Sequence, residues 1–428
     1  TKERDVMKLI KKSFSFITAI VCCAAISSIM PFSSSAEESV KTYGDLSYFT
    51  SDSDGDGTDD YVKIIDCNES VSEVEIPAEI EGLPVKKIET STFYDRPNLT
   101  DINVAENNNY YSSSAGLLFD KNKTELIKYP AGKSLKNFNI PNGVKSLDGY
   151  SFCNCSNLTS INIPESVTYI GIGAFYLCTN LKSIAIPDSV TKIENITFTG
   201  CSSLTSISIP ESVTYIGLDA FKDCTSLTSI YIPDSVTLTG LSGTFSGCTS
   251  LTNVKLPDVI YIISTNTFAG CSSLLNIIIP DSVTSIKECA FEGCKSLTNI
   301  AIPESVTKIK TWAFKDCTSL KSIAINNPDC EISNAKDTIP ETAVIYGYKN
   351  STAQTYAESF NRKFISLEEI GDISGNGEID LYDAIEIAKA IMGLRTFTAE
   401  EMIIADFNMD GAVDLYDAIE IARTLLPK

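Results

Sequence analysis

No histidine occurs among the 428 residues of this chain. Histidine is the usual general base of hydrolytic triads, the commonest zinc ligand and the side chain best suited to proton transfer near neutral pH. Its absence excludes histidine-dependent hydrolysis and zinc sites built on imidazole.

Positive charge is also scarce, because 34 lysines and arginines stand against 55 aspartates and glutamates and leave a net charge of −21. A chain this acidic is repelled by nucleic acid and by anionic membrane surfaces, and it attracts divalent cations. We therefore expect no nucleic-acid partner. The length and the hydrophobic content of 43% otherwise allow two or three globular domains.

Residues 14–30 form an apolar run, diluted by serine and alanine, after a short basic stretch that starts at Met7. Ser34, Ser35 and Ala36 then offer small residues to a signal peptidase. We predict a signal peptide over residues 1–36, in which the first six residues precede the true start codon at Met7 and are not part of the natural protein. The mature chain is then secreted and has no membrane span. A retained membrane anchor is the alternative.

The middle of the chain repeats with a period of about 23 residues. A proline recurs at Pro141, Pro164, Pro187, Pro210, Pro233, Pro257, Pro280 and Pro303. A phenylalanine recurs at Phe152, Phe175, Phe198, Phe221, Phe245, Phe268, Phe291 and Phe314. A cysteine recurs at Cys155, Cys178, Cys201, Cys224, Cys248, Cys271, Cys294 and Cys317. Such fixed periods indicate a solenoid, in which each copy buries its apolar face only against its neighbours.

Each copy contains the elements of one structural repeat. Ile161 and Ile163 suit a short strand that Pro164 ends, because proline cannot donate to the next hydrogen bond of a ladder. Val167 and Ile170 suggest a second short extended segment, and the Ala-Phe pair after it suggests a helical or turn-like return.

One copy differs, since the interval from Pro233 to Pro257 is one residue longer and Thr239 replaces an isoleucine. We expect a local bulge there. The repeats resemble the leucine-rich repeats of the BspA-like (Treponema-type) family, which implies a β-rich α/β leucine-rich-repeat solenoid with caps in a secreted or surface protein. We place an N-terminal cap with irregular repeats at residues 37–128, the solenoid at 129–337, and a strand–helix–strand C-terminal cap with a short linker at 338–370.

The cysteine column has two interpretations. Cysteines in a secreted chain suggest disulfides. One cysteine per copy, always between an aromatic residue and a leucine, is more typical of a ladder of small buried apolar groups. We predict free thiols, with bridges between neighbouring copies as the alternative.

A candidate binding face is formed by the fifth residue after each proline: Tyr169, Lys192, Tyr215, Leu238, Ile262, Ser285 and Lys308. Tyrosines beside lysines can recognise a protein or a glycan. A solvated or partly packed column is the simpler explanation, so the ligand of the solenoid stays unidentified.

Asp52, Asp54, Asp56 and Asp60 occupy positions 1, 3, 5 and 9 of a calcium-type loop with glycine at position 6. Lys63 stands at position 12, where a bidentate carboxylate belongs. A calcium site and a simple hairpin turn are both open here.

Two segments near the C-terminus copy each other at an offset of 34 residues. A 12-residue calcium loop supplies oxygens from positions 1, 3, 5, 7, 9 and 12. In the first loop these are Asp372, Ser374, Asn376, Glu378 through its backbone carbonyl, Asp380 and Asp383. In the second they are Asp406, Asn408, Asp410, Ala412 through its carbonyl, Asp414 and Asp417. We predict two Ca²⁺ ions, the first held more weakly because its loop offers three carboxylates against four.

A helix should follow each loop. Asp380 can cap the first helix, in which Ala384, Ile387, Ala388 and Ile391 share the face expected to serve the core. A second stripe on that helix is not needed by the core: Leu381, Tyr382, Ile385, Lys389 and Met392. The other helix repeats this stripe: Leu415, Tyr416, Ile419, Arg423 and Leu426. A helix that is apolar beyond its buried face usually has a partner.

Between these helices, Thr398 and Glu401 form a capping box that should start a short middle helix. Residues 371–428 resemble type I dockerins, which implies a small all-α paired calcium-loop domain that binds a cohesin domain of a scaffold protein. In that family, loop positions 10 and 11 contact the cohesin, and here they hold a Leu-Tyr pair in each copy. The best-known clostridial members carry small hydroxyl residues, so we expect a cohesin of another specificity group.

Because both copies carry nearly the same stripe, the resemblance implies that either could dock after a half-turn of the module. The alternative is that the stripe packs on the preceding cap. The sequence as a whole favours a secreted, non-catalytic leucine-rich-repeat binding protein, anchored to a cellulosome-like scaffold or the cell surface and associated with polysaccharide degradation.

Two alternatives differ in what the solenoid does. A glycoside hydrolase would need one pair of carboxylates, whereas acidic residues follow the prolines too regularly: Glu165, Asp188, Glu211, Asp234, Asp258, Asp281 and Glu304. The second alternative is an adhesin, or an inhibitor, with a protein ligand.

Overall fold

The computed structural model describes residues 40–236, 241–407 and 412–425. The predicted signal peptide lies outside the described residues, as do Leu238, Thr239, Asn408, Asp410 and Leu426. The bulge predicted at Thr239 falls in the first internal gap. Within the described ranges, no helix has the length and apolar character needed to cross a membrane.

The N-terminal region begins with a mixed five-stranded sheet. Its strands, in spatial order, are β1 (Lys41–Tyr43), β2 (Leu46–Ser51), β3 (Tyr61–Cys67), β6 (Leu83–Ile88) and β5 (Glu79–Ile80). A separate parallel pair is formed by β4 (Glu73–Ile76) and β7 (Asp101–Val104). Val62, Ile64 and Val85 are fully buried, so this region has an apolar core of its own.

Three antiparallel strands lead into the repeats: β8 (Tyr111–Ser114), β9 (Leu117–Asp120) and β10 (Glu125–Lys128). β10 also pairs in parallel with β12 (Ser146–Leu147), so it belongs to the ladder of the repeats. Phe119 and Leu126 are part of the same buried cluster as the repeats. The cap boundary at residue 128 stays a prediction.

Two series of short parallel strands run along the repeats. The first series contains β11 (Asn137–Asn139), β13 (Ser160–Asn162), β15 (Ser183–Ala185), β17 (Ser206–Ser208), β19 (Ser229–Tyr231), β20 (Asn253–Lys255), β23 (Asn299–Ile302) and β25 (Ser322–Ile325). The second contains β12, β14 (Tyr169–Ile170), β16 (Lys192–Ile193), β18 (Tyr215–Ile216), β21 (Ile262–Ile263), β22 (Ser285–Ile286), β24 (Lys308–Ile309) and β26 (Glu331–Ile332). Equivalent residues pair, as Ser160 does with Ser183 and Ser183 with Ser206. The predicted solenoid is confirmed.

The return segment consists of turns in the described repeats. The N–H of Cys178 donates to the carbonyl oxygen of Phe175 at 3.1 Å, and the N–H of Leu181 donates to that of Cys178 at 3.0 Å. The N–H of Phe175 donates to the carbonyl oxygen of Thr197 in the next repeat at 3.0 Å. Of the two predicted forms of the return, the turn is the one that occurs.

The phenylalanine column forms a continuous stack through the core. Adjacent rings from Phe152 to Phe314 have centroid distances of 5.3–5.7 Å. The widest spacing, 5.7 Å, separates Phe221 from Phe245 of the longer repeat. Each stacked pair contributes about 0.5–1.5 kcal/mol beyond the burial of its surface. The stacked rings therefore connect each repeat from Phe152 to Phe314 with the next.

All twelve cysteines among the described residues are free thiols, in agreement with the prediction. Those of the column also do more than fill space. The thiol of Cys178 donates to the carbonyl oxygen of Phe152 at 3.0 Å, and the same contact joins Cys317 to Phe291 at 3.1 Å. Each rung is thus a hydrogen bond between neighbouring repeats.

The solenoid ends in the predicted strand–helix–strand cap: β27 (Val344–Gly347), α1 (Thr352–Ser359) and β28 (Phe364–Ser366). Ser351 caps α1 by accepting the N–H of Gln354. Ala353 and Ala357 of α1 are fully buried members of the repeat core, so the helix closes its open end.

Candidate calcium loops and docking surface

The first calcium-type loop is organised around the carboxylate of Asp372. Its Oδ1 accepts the N–H of Asn376 at 3.1 Å and the hydroxyl of Ser374 at 3.2 Å, while its Oδ2 accepts the N–H of Gly377 at 2.7 Å. Gly377 has a φ of +87°, which glycine adopts without strain. The chain therefore wraps around its first acidic position.

Asp383, at the twelfth position of this loop, is fully buried. Its Oδ1 accepts the N–H of Ser374 at 2.9 Å and its Oδ2 accepts the N–H of Asp380 at 2.8 Å. The second contact belongs to the capping box of the next helix, so one carboxylate fixes both loop and helix. Asp417 is equally buried and accepts the N–H of Asp414 at 2.8 Å.

The donor types of the described loop residues suit a calcium ion. Calcium prefers carboxylate and carbonyl oxygens, and the first loop offers the carboxylates of Asp372, Asp380 and Asp383 with the side-chain oxygens of Ser374 and Asn376. Hydrogen bonds join Ser374 to Asp372 and Asn376 to Asp380, whereas the carboxylate oxygens of the three aspartates do not all lie within 4.8 Å of one another. In the second loop, the described positions are Asp406, Ala412, Asp414 and Asp417. The full set of ligands stays a prediction.

Two helices follow the loops, α2 (Leu381–Ile391) and α4 (Leu415–Thr424), with α3 (Ala399–Ala405) between them. α3 starts at the predicted capping box of Thr398 and Glu401. The helices enclose a small core built from Ile373, Ala384, Ile387, Ala405, Ala418 and Ile421.

The predicted core face of α2 is correct at Ala384 and Ile387 and wrong at Ile391. Ile391 is 44% exposed, because it lies one turn beyond Ile387, the last residue of α2 in the core. Its counterpart after α4, Leu425, is 42% exposed. The core therefore occupies only the first turns of both helices.

Both predicted stripes face solvent where they are described. Leu381 and Tyr382 are 59% and 55% exposed, and Leu415 and Tyr416 are 57% and 66% exposed. The other described members are exposed at Ile385, Met392 and Arg423 and half-buried at Lys389 and Ile419. Large apolar side chains therefore stand in matching places on the two helices.

These helices also carry a set of ion pairs that was not predicted from the sequence. Glu386 accepts the Nζ of Lys389 at 2.7 Å and also pairs with Arg395. Hydrogen bonds from these two cations lower the pKa of Glu386 below its ordinary value. In α4, Arg423 pairs with Glu420 at the matching position. The repeated Glu-to-cation spacing of three residues was the available signal.

The C-terminal module contacts the preceding cap through Phe407. Phe407 packs against a small cluster of buried residues from the last repeat, the cap and the linker: Ala324, Tyr346, Ile365 and Ile370. Burial and the nearby charge of Asp406 raise the pKa of Tyr346 to about 12. The stripe residues are not in this cluster, so the alternative that they pack on the cap is not supported by the described residues.

The predicted column on the repeats is uneven. Tyr169 is 44% exposed. Lys192 and Lys308 are exposed, Tyr215 and Ile262 are half-buried, and Ser285 is buried. Among the described residues, the column therefore exposes separate side chains and does not form a continuous binding surface.

The loop between β2 and β3 brings carboxylate oxygens of Asp52, Asp54 and Asp60 within 4.8 Å of one another. Lys63, at position 12, pairs with Glu89, so no carboxylate closes the loop from that position. Both interpretations of this loop stay open.

Two family descriptions match separate parts of the chain. "BspA type Leucine rich repeat region (6 copies)" matches residues 128–242 and 241–336, and "Dockerin type I domain" matches residues 370–426. No curated protein matches the chain.

Several solved structures are similar to the chain. A leucine-rich repeat protein from Eubacterium ventriosum is 31% identical, with 54% of this chain and 62% of that chain covered and a TM-score of 0.46. A leucine-rich repeat protein from Bacteroides ovatus is 24% identical, with 76% and 78% covered and a TM-score of 0.42. The chain thus spans less than two thirds of the first of these proteins.

The matched ranges contain the stacked repeats up to β26 and the paired loops with their helices. Residues 128–336 are a BspA-type leucine-rich repeat region, and residues 370–426 are a type I dockerin domain.

Proposed function

We propose that this chain is a secreted, non-catalytic binding protein whose dockerin domain anchors it, with calcium, to a cohesin of a cellulosome-like scaffold. Type I dockerin domains are calcium-binding and imply assembly through a cohesin. Leucine-rich repeats and dockerins are non-enzymatic types of extracellular and cell-surface modules. In this proposal the solenoid recognises a protein or glycan and serves polysaccharide degradation.

The exposure of the two stripes carries the proposal. Leu381 and Tyr382 stand at the start of α2, and Leu415 and Tyr416 at the start of α4, while the opposite faces of both helices are buried. Exposed apolar groups of this size mark an interaction surface when they cluster. Aromatic residues are also the side chains that most often dominate interface energies.

The duplication of the stripes supports two docking orientations. The apolar residues match, and so do the ion pairs of Glu386 with Lys389 and of Glu420 with Arg423. A half-turn of the domain would therefore present nearly the same surface to the partner.

A pull-down with the mature chain, residues 37–428, tests this function. In calcium, the chain should capture a cohesin-bearing protein from the secreted proteins of its producing organism, and a chelator should abolish capture. Changing Tyr382→Asp and Tyr416→Asp together should abolish it too, because a charge replaces the apolar centre of each stripe. Each single variant should keep binding through the other stripe.

Tyr169→Asp is the matched control, since Tyr169 is an exposed tyrosine of the solenoid. That variant should capture the cohesin as well as the parent chain does. Capture by the double variant at the parent level would contradict the proposal.

A catalytic solenoid is less well supported than a recognition surface. Seven of the eight repeat prolines are followed by an exposed acidic residue: Glu165, Asp188, Glu211, Asp234, Asp258, Asp281 and Glu304. One exposed carboxylate per turn is a feature of the repeat, whereas a glycosidase needs a single pair. Incubation with plant glycans should therefore release no sugar, and turnover would overturn the non-catalytic part of the proposal.

A further inference from the structure

Ile278 is the most exposed large apolar side chain among the described residues, at 86%. It occupies the outward position in the middle of the first strand segment of its repeat, between the buried Ile277 and Ile279. The equivalent residues of other described repeats are Asn162, Ala185, Ser208, Tyr231, Lys255, Ala301 and Ala324. Leu275 in the same segment is 52% exposed, where the other repeats have threonine or lysine. One repeat therefore places two large aliphatic side chains in solvent.

The first series of strands is interrupted at this repeat. β20 (Asn253–Lys255) and β23 (Asn299–Ile302) are the strands on either side, and residues 276–278 between them form no strand in the described structure. The neighbouring side chains Ile277 and Ile279 stay in the core, so the segment keeps its place in the solenoid. A segment with fewer ladder hydrogen bonds adjusts more easily than its neighbours. The surface around Ile278 can therefore adapt to a bound molecule.

A row of carboxylates runs beside these outward positions. The row consists of the exposed acidic residues that follow the repeat prolines, one in each repeat from Glu165 to Glu304. The hydroxyl of Tyr231 donates to Oε1 of Glu211 at 3.4 Å, so the two sets of side chains are in contact. Asp281 lines the same groove as Ile278, Ala301 and Pro303, with a volume of about 230 Å³. Apolar and acidic groups therefore face one space.

Lys255 shows that an ammonium group fits between two members of this row. Its Nζ lies 3.0 Å from Oδ1 of Asp234 and 3.4 Å from Oδ1 of Asp258. Lys255 reaches these carboxylates from the outward position that Ile278 occupies in the next repeat. Among the ion pairs of the described residues, none includes Asp281 or Glu304. The carboxylates beside Ile278 are therefore open to a cation of another molecule.

We infer that the ligand of the solenoid is a cationic segment of another protein. It places an apolar side chain against Ile278 and a lysine or arginine beside Asp281 and Glu304. This inference deepens the proposed recognition role of the repeats, on which it rests. The aliphatic contact supplies affinity, whereas the carboxylates attract and orient the partner. A neutral glycan suits this surface less well, because aliphatic side chains cannot hydrogen-bond to hydroxyl groups.

An eight-residue synthetic peptide of alternating leucine and lysine is the probe for this surface. When extended, it presents its leucines toward Ile278 and its lysines toward the carboxylate row, because successive side chains of an extended chain point to opposite sides. Fluorescence anisotropy with the mature chain, residues 37–428, measures binding. Ile278→Ser and Asp281→Lys should each weaken it about tenfold. Both side chains are exposed, so neither change should disturb the fold.

Two matched controls separate this surface from general charge attraction. Asp188→Lys changes the net charge as Asp281→Lys does, but it lies four repeats away, beside Ala185. Four strand spacings are about 19 Å, more than the screening length at physiological salt, so affinity should change less than about twofold. Ile172→Ser removes an exposed isoleucine that is not in the first strand series and should have as little effect.

Three results would overturn the inference. The first is no binding of the peptide, or equal weakening by Asp281→Lys and Asp188→Lys, which would indicate attraction to net charge alone. The second is binding of a neutral plant oligosaccharide that Ile278→Ser abolishes. The third is self-association of the chain, measured by sedimentation, that Ile278→Ser abolishes. Ile278→Ser should still capture a cohesin, whereas a parent chain that binds the peptide and captures none would overturn the proposed anchoring instead.

Discussion

The Sγ of Cys201 lies 3.2 Å from the carbonyl oxygen of Phe175, which belongs to the preceding repeat. The same oxygen also accepts the N–H of Cys178 at 3.1 Å. Both lone pairs of a fully buried carbonyl are therefore satisfied, one within the repeat and one between repeats. The cysteine column therefore fills a small buried space in each repeat and also donates a hydrogen bond to a buried backbone carbonyl.

Cys201→Ala should destabilise the solenoid by about 1–2 kcal/mol, because it removes the thiol donor and leaves a small cavity. Urea denaturation measures this as a lower midpoint at unchanged slope. Cys289→Ala is the control, since Cys289 is outside the column and half-buried. We expect it to change stability by less than about 0.5 kcal/mol. Equal losses in both variants would refute the role of the column.

Alkaline pH should destabilise the solenoid through the same thiols. Burial raises the pKa of Cys155, Cys201 and Cys248 from 9.0 to about 12. Between these values the unfolded chain releases thiol protons that the folded chain keeps, so the free energy of unfolding falls as pH rises. The loss is about 1.4 kcal/mol per thiol for each pH unit. Below pH 9 the stabilisation is fully present.

Denaturation midpoints measured between pH 8 and pH 11 check this prediction. Cys201→Ala should show a shallower decline than the parent chain, because it has one fewer buried thiol. A flat profile, or unfolded protein with fewer than the twelve titratable thiols of the described residues, would favour the disulfide alternative.

The sequence predicted the repeat architecture well, because its signals are periodic. The columns that contain Phe175 and Cys178 show which residues of successive repeats are equivalent and so predict how the strands pair. The spacing of the calcium-type loops predicts that Asp383 and Asp417 lie in the first turns of helices. Ile391 shows where the helical period fails as a predictor of burial. The apolar pattern of α2 continues to Ile391, whereas the core of the domain includes no residue of α2 after Ile387. Phe407 shows another limit, because a single aromatic residue in a loop carries no pattern, and the cluster around Tyr346 that it contacts lies in a different domain.

The left-handed backbone conformation in the return turns could not be predicted from the sequence either. Ile196 has a φ of +51° and Trp312 a φ of +61°, although bulky and β-branched residues rarely adopt this conformation. At equivalent positions in other repeats the chain has Gly173 and Asn266, which accept it more easily. The hydrogen bonds between repeats impose the turn on whichever residue occupies the position.

Ile196→Asn should therefore stabilise the solenoid by about 1 kcal/mol, because asparagine tolerates the left-handed conformation and Ile196 is only half-buried. Thermal denaturation should show a higher midpoint. Ile172→Asn provides the comparison, since Ile172 is an exposed isoleucine outside the left-handed positions and should change little. A lower midpoint for Ile196→Asn would show that its side-chain packing outweighs the strain.

The two calcium loops should bind unequally, and the first should be improved by one substitution. Ser374 is at position 3 and its hydroxyl donates a hydrogen bond to Asp372, so Ser374→Asp places a fourth carboxylate beside Asp372. Calcium titration should show about a tenfold gain at the first site, because loop affinity rises with the number of ligand charges. The second site should not change.

Ser374→Asn is the matched control, since it copies Asn408 of the second loop and adds an oxygen without a charge. Its gain should be smaller than that of Ser374→Asp, and without calcium the aspartate variant should be the less stable of the two, because its carboxylate faces Asp372. If both variants gained equally, ligand number and not charge would limit the first loop. If the first site of the parent chain were already the tighter one, the predicted order of the two loops would be wrong.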